Sequence, residues 1–156
     1  RNPTMVIIMA NQLLEQREYD LATFVLEEAL QKFSQDHQLQ QLLMMTYTLN
    51  QQSPDRVRDY IELLKGGASF SPDTIAIGDA YIAFQTGDTE QSIQILTTHL
   101  EQNRLDFKTE LQFVLGMAHK EAGNIDAARS LLEAARSDRG AENWLNQLIL
   151  EQLIDL

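Results

Sequence analysis

The sequence predicts an all-α fold made of stacked helix pairs. Three observations predict it. Apolar residues recur at i, i+3 and i+4 through most of the 156-residue chain, the spacing that lines one face of a helix. The 7 Gly and 3 Pro are sparse and sit in a few places, which leaves long stretches free to be helical. No stretch alternates apolar and polar residues between turn signals as a strand would. Three segments also superimpose on one another, the mark of an internal repeat.

Taken in order, the breaks fall at residues 34–37, 51–55, 66–73, 86–88, 103–106, 123–124 and 137–140. They divide the chain into four helix pairs of roughly 3–35, 36–70, 71–105 and 106–140, with a terminal helix over 141–156, all within one domain. In the first pair, Leu21, Val25 and Ala29 with Ala22, Leu26 and Leu30 form an apolar stripe, and Glu27 and Glu28 fall on its polar side. In the second, Val57, Tyr60, Ile61 and Leu64 form the stripe, and Ser53 before Pro54 is an N-cap followed by Pro in the first turn. In the third, Ser71-Pro72-Asp73 offers the same start, Asp88 caps a helix beginning at Thr89 and Glu90, and Ile93, Leu96 and Leu100 line its apolar face. In the fourth, Ala128, Leu131, Leu132 and Ala135 do so.

The superposition is specific. Ala22, Leu26 and Ala29 match Ser92, Leu96 and His99, and both match Ala128, Leu132 and Ala135. Each set is a small residue, an apolar one four later and a third site three beyond, all on one helical face. A small site lies at a constant distance upstream in each case: Ala10, Ala80 and Gly116. Small residues let a neighbouring helix approach closely. Gly87 and Gly123 end their first helices at matching places, where a left-handed turn is easy for Gly. The second pair, with Met44 and Tyr47 ahead of its stripe, follows the pattern least well.

The run Leu115-Gly116, His119, Gly123, Ala128, Leu132, Ala135 resembles a tetratricopeptide repeat, as do Ala10, Leu13, Ala22, Leu26 and Ala29. The period of that family is about 34 residues. The resemblance implies a right-handed superhelical solenoid of antiparallel helix pairs, about four repeats plus a C-terminal helix, with a concave face. In such proteins the first helix of each pair builds the inner wall. That implies partner-binding residues Ile7, Asn11 and Leu14; Gln41, Met45 and Thr48; Ile77, Tyr81 and Phe84; and Phe113, Met117 and Lys120. Their mixture of apolar, aromatic and amide groups suits a peptide groove. One subtype grips C-terminal carboxylates with Lys, Arg and Asn; Asn11 matches one element, but Ile7 and Gln41 stand near where basic partners are needed.

The ends read differently from polar capping helices. Val6 to Met9 cover most of the first helix. Trp144, Leu145, Leu148, Ile149, Leu150, Leu153, Ile154 and Leu156 do the same at the other end. Each end is therefore expected to contact a partner, a second copy or further repeats. Arg1 in place of Met points to a chain cut or processed at that end, and a targeting segment could have preceded it.

The formal charge of −11 repels phosphate backbones and anionic membranes, so no nucleic acid is expected as a partner. No apolar run approaches a membrane span. From Gly66 to Asn103 there is no Lys or Arg, while Asp73, Asp79, Asp88, Glu90 and Glu101 are present, a surface suited to a basic partner. The chain has no Cys, which removes disulfides, thiolate chemistry and Cys-based zinc sites, and suits cytosol and periplasm alike. His37, His99 and His119 lack the i+4 spacing of a helical zinc pair. His37 reads as a surface loop residue, His119 as a packing residue, and His99 as a His at a small, packed site. Lys65-Gly66-Gly67-Ala68-Ser69 has phosphate-loop letters in the wrong order. Neither a cofactor nor an enzymatic site is expected.

The function expected is a protein-interaction scaffold or adaptor in a larger assembly, in the style of bacterial repeat proteins of secretion or envelope assembly. The alternatives are a small secretion chaperone that holds a client, and an enzyme whose site the sequence does not display.

Overall fold

The structure is a computed structural model and describes residues 2–156. It is all-helical: nine helices and no strand among the described residues. They are α1 (Thr4–Glu15), α2 (Tyr19–Lys32), α3 (His37–Leu49), α4 (Pro54–Gly66), α5 (Pro72–Gln85), α6 (Thr89–Leu100), α7 (Lys108–Glu121), α8 (Ile125–Arg136) and α9 (Asn143–Ile154). Helices fall two to each of the four segments marked by the breaks, with α9 in the terminal stretch. The chain divides into two compact units, residues 1–78 and 79–156, and α5 runs through the division.

Side chains mark the starts of α3, α4, α5 and α6. Ser53 Oγ accepts from Arg56 N at 3.3 Å with Pro54 in the first turn, and Asp88 Oδ1 accepts from Gln91 N at 3.0 Å. Ser71 Oγ accepts from Asp73 N at 3.3 Å. Asp36, within the first break, caps α3 by accepting from Leu39 N at 2.9 Å.

The turns inside the four helix pairs are alike. In each, a residue with positive φ follows the first helix: Arg17 (59°), Gln51 (52°), Gly87 (93°) and Gly123 (83°). Each donates its N–H to the carbonyl three residues back, and the next residue donates to the carbonyl five back. The pairs are Arg17 to Leu14 and Glu18 to Leu13, Gln51 to Thr48 and Gln52 to Tyr47, Gly87 to Phe84 and Asp88 to Ala83, and Gly123 to Lys120 and Asn124 to His119. This is the Schellman closure of a helix C-terminus, which satisfies carbonyls the helix leaves open. Residues 17, 51, 87 and 123 stand 34, 36 and 36 apart, so the turn recurs with the period of a helical repeat.

Counted from these turns, the packing sites align. Seven residues before them stand Ala10, Met44, Ala80 and Gly116, all buried. Five after them stand Ala22, Ser92 and Ala128, with exposures of 0%, 2% and 0%. In the second pair the fully buried residue is Val57, six after Gln51. One extra residue before Pro54 shifts Val57, Ile61 and Leu64 together and accounts for the weak match of that pair.

In the first unit α1, α2 and α3 pack mutually around Leu14, Leu26, Leu39, Leu43 and Met45. α4 joins through Tyr60, whose ring stands edge-on to that of Tyr47 with centroids 5.4 Å apart. The start of α5 joins through Thr74 Oγ1, which donates to Gln41 Oε1 at 2.6 Å, and through Gly78. A Cβ at Gly78 would lie 2.7 Å from Met44 Cε and 2.9 Å from Ile61 Cδ1. The large Met44 at a place where the other pairs have Ala or Gly is thus accommodated by a glycine on the facing helix.

In the second unit α7 packs on α6, α8 and α9, and α8 packs on α9. Leu96, Leu111, Leu132, Leu145 and Ile149 fill its core. Gly116 lets α8 come close, since a Cβ there would be 3.0 Å from Leu132 Cγ. Thr109 Oγ1 donates to Asp138 Oδ2, and Gly140 N to Asp138 Oδ1 at 2.9 Å. These bonds hold the Asp138 carboxyl below its usual range and fix the α8–α9 loop over the start of α7.

Candidate functional site

The twelve residues implied as an inner wall all lie on α1, α3, α5 and α7, but half are core. Leu14, Gln41, Met45, Ile77, Tyr81 and Phe113 are 0–6% exposed, so a partner cannot reach them in this fold. The reason is that a first helix in each pair is packed on more than one side, and its apolar face is consumed by neighbouring helices. Burial also pushes the Tyr81 phenol above its ordinary pKa, so it stays neutral.

Lys120 departs from the expectation in another way. Its Nζ donates to Gln152 Oε1 and Asp155 Oδ2, both at 2.7 Å, and so ties the end of α9 to α7. The ammonium beside Asp155 holds that carboxyl below its usual range. Ile7, Asn11 and Thr48 in the first unit, and Phe84 and Met117 in the second, remain half-buried and accessible.

The ends also resolve into exposed and buried faces. On α1, Met5, Ile8 and Met9 are exposed by 73%, 47% and 48%, three apolar residues at i, i+3 and i+4 and therefore on one face. On α2, Leu21 and Phe24 are exposed as well; the stripe assigned to Leu21 is narrower than its spacing implied. At the other end, Trp144, Leu145 and Ile149 are buried and Leu148 and Leu153 half-buried, so only part of the apolar surface of α9 is core. Leu150 and Ile154 point outward.

The acidic stretch from Gly66 to Asn103 is less of a surface than its composition implied, because Asp73 is buried and Asp88 is a helix cap. The histidines differ from expectation in one case. His37 opens α3, and its Nε2 pairs with Ser69 Oγ at 2.7 Å, 32 residues away, so it is a brace rather than a loose loop residue. His99 is half-buried at the end of α6. His119, also half-buried, accepts from Asn124 Nδ2 at 3.1 Å, and burial lowers its pKa.

A groove of about 930 Å³ lies in the first unit, between α2, α3, α4 and the segment after α4. Composition gave no sign of it. Its floor is apolar and aromatic, with Leu43 and Tyr60 prominent, and Leu63 stands at its edge 72% exposed. A polar brace spans it. Tyr47 Oη and Arg56 Nη2 both donate to Glu27 Oε2, and the Arg56 guanidinium sits 5.2 Å from the Tyr47 ring centroid. Burial and then the Glu27 carboxylate raise the Tyr47 pKa, so the phenol remains a donor. Tyr60 Oη donates to Gln40 O at 2.8 Å, and burial raises its pKa too. The brace links α2 to α3 and α4 and uses its donors internally, which is the arrangement of a structural clamp rather than of acid–base chemistry.

Gln40, 1% exposed, also lines the groove. Its Nε2 donates to Ser34 O at 2.8 Å and Ser69 O at 3.0 Å, drawing the loop after α2 and the segment after α4 together. Its Oε1 has no hydrogen-bond partner among the described residues, and neither does Gln41 Nε2. No group of three His, Asp or Glu side chains among the described residues could hold a metal. No helix among them is long and apolar enough to cross a membrane.

Comparison of the chain with protein families, with curated proteins and with solved structures finds no match.

Proposed function

We propose that this chain is a protein-interaction module, a scaffold or adaptor of tetratricopeptide-like helix pairs that holds a partner protein within a larger assembly. The observation that carries the reading is the exposed apolar face of α1. Met5, Ile8 and Met9 lie side by side in water, and each large side chain of this kind is stabilised by burial by about 1.5–3 kcal/mol. Contiguous exposed apolar residues of this kind mark contact surfaces. The four equivalent helix-pair turns support the repeat reading, because repeat proteins present extended faces for binding.

A photo-crosslinking residue placed at Met9 tests the reading in cells that make the partner, beside the same residue at exposed Glu133. The reading predicts one discrete adduct from position 9 and none from 133. Equal adducts at both positions, or none at position 9, would contradict it.

A further inference from the structure

We propose that the groove of the first unit seats a basic, apolar-anchored segment of a partner protein. One Leu- or Phe-sized side chain would rest on Leu43, Tyr60 and Leu63, with Lys or Arg on either side facing Asp59 and Glu62. This rests on the reading of the chain as a binding module and adds a surface that lies apart from α1.

Charge decides the occupant. Glu27, Asp59 and Glu62 line the groove against a single cation, Arg56. Arg56 is already committed to Glu27. Asp59 and Glu62 are exposed and enter no ion pair among the described residues; Lys65, one turn beyond Glu62, does not line the groove, so its rim carries two carboxylates outside any ion pair. A second copy of this chain, at −11, and a nucleic acid would both be repelled. A cationic segment would be attracted. The floor supplies the apolar contact, and the exposed Leu63 gains most from being covered.

The Gln40 amide is the second pointer. A buried carbonyl oxygen without a donor costs stability. Its Nε2 is saturated by Ser34 O and Ser69 O, and its Oε1 lies buried beside the groove without a donor, so a segment's N–H reaches it only when the cover over Gln40 moves aside. Gly66, Gly67 and Ala68 also line the groove, all exposed and free of bulky side chains.

The test uses the whole chain and a short fluorescein-labelled peptide with one phenylalanine flanked by lysines, against a control peptide with glutamates for the lysines. Fluorescence polarisation should show the lysine peptide binding and the glutamate peptide not, with affinity falling as ionic strength rises. Asp59→Lys with Glu62→Lys should weaken binding about tenfold, the scale of two exposed charge pairs. Leu63→Asp should weaken it too, whereas Met117→Glu in the second unit should not. All four positions are at least partly exposed, and far-UV circular dichroism should show unchanged helicity. Failure of the parent to bind the lysine peptide, equal binding of both peptides, or loss only in Met117→Glu would overturn the groove proposal. Those outcomes leave the crosslinking result at Met9 untouched, so failure of the groove and failure of the binding-module reading are separable.

Discussion

Gly78 and Met44 show how one residue's size is set by another. A methyl group at Gly78 would meet Met44 Cε and Ile61 Cδ1 below 3.0 Å. Gly78→Ala should therefore cost about 1–3 kcal/mol in denaturant unfolding, the range for overpacking. Met44→Ala made alongside should remove much of that cost. Additive effects would mean that the two side chains are not in contact. His119 sets a pH dependence. Burial lowers its folded pKa below the ordinary 6.5, so the unfolded state takes up the proton first. The stability it contributes is present above pH 6.5 and lost as pH falls through the lowered folded value. His119→Gln should flatten the unfolding midpoint across that window, and an unchanged slope would exclude the residue as its source. At this scale the sequence showed the small sites Ala10, Ala22, Ala80, Gly116 and Ala128 by spacing alone. Gly78 was not legible, because its glycine answers a methionine on another helix and no periodicity records such a pair.

Among the elements, the four Schellman turns carry the repeat. Two use glycine and two do not, and added side chains at Gly87 and Gly123 would meet nothing within 4 Å. The effect of substitution there is therefore one of backbone conformation. Gly87→Ala and Gly123→Ala should each cost about 1 kcal/mol. Gln51→Gly should gain about 0.5 kcal/mol as the left-handed strain is relieved. Thermal unfolding followed by circular dichroism measures both signs; a gain from Gly87→Ala would contradict the turn geometry. Gly87 and Gly123 were legible because glycine advertises a left-handed residue. Arg17 and Gln51 were not, since hydrogen bonds to Leu13, Leu14, Tyr47 and Thr48 hold them there without any residue signature. The single residue inserted before Pro54 disguised the second pair, although its stripe of Val57, Tyr60, Ile61 and Leu64 was read correctly and is buried.

For the molecule as a whole, composition and patterning led to an all-helical chain, and nine helices are present among the described residues. The binding residues were less legible. A side chain at the right helical phase to face a partner is also at the right phase to face the next helix, and Met45, Ile77 and Phe113 take the second course. The groove beneath Leu63 depends on Glu27, Tyr47 and Arg56 meeting across α2, α3 and α4, a juxtaposition that spacing along the chain does not encode. The most direct measurement of the central claim is affinity capture from the lysate of the source cell, with the parent chain beside an Ile8→Glu/Met9→Glu variant and a Phe84→Glu variant. Both variants should keep their helicity, because the three side chains are at least partly exposed. The account predicts one protein held by the parent and by Phe84→Glu but lost by Ile8→Glu/Met9→Glu. Retention of that protein by the α1 variant, or no specific protein held by the parent, would contradict it.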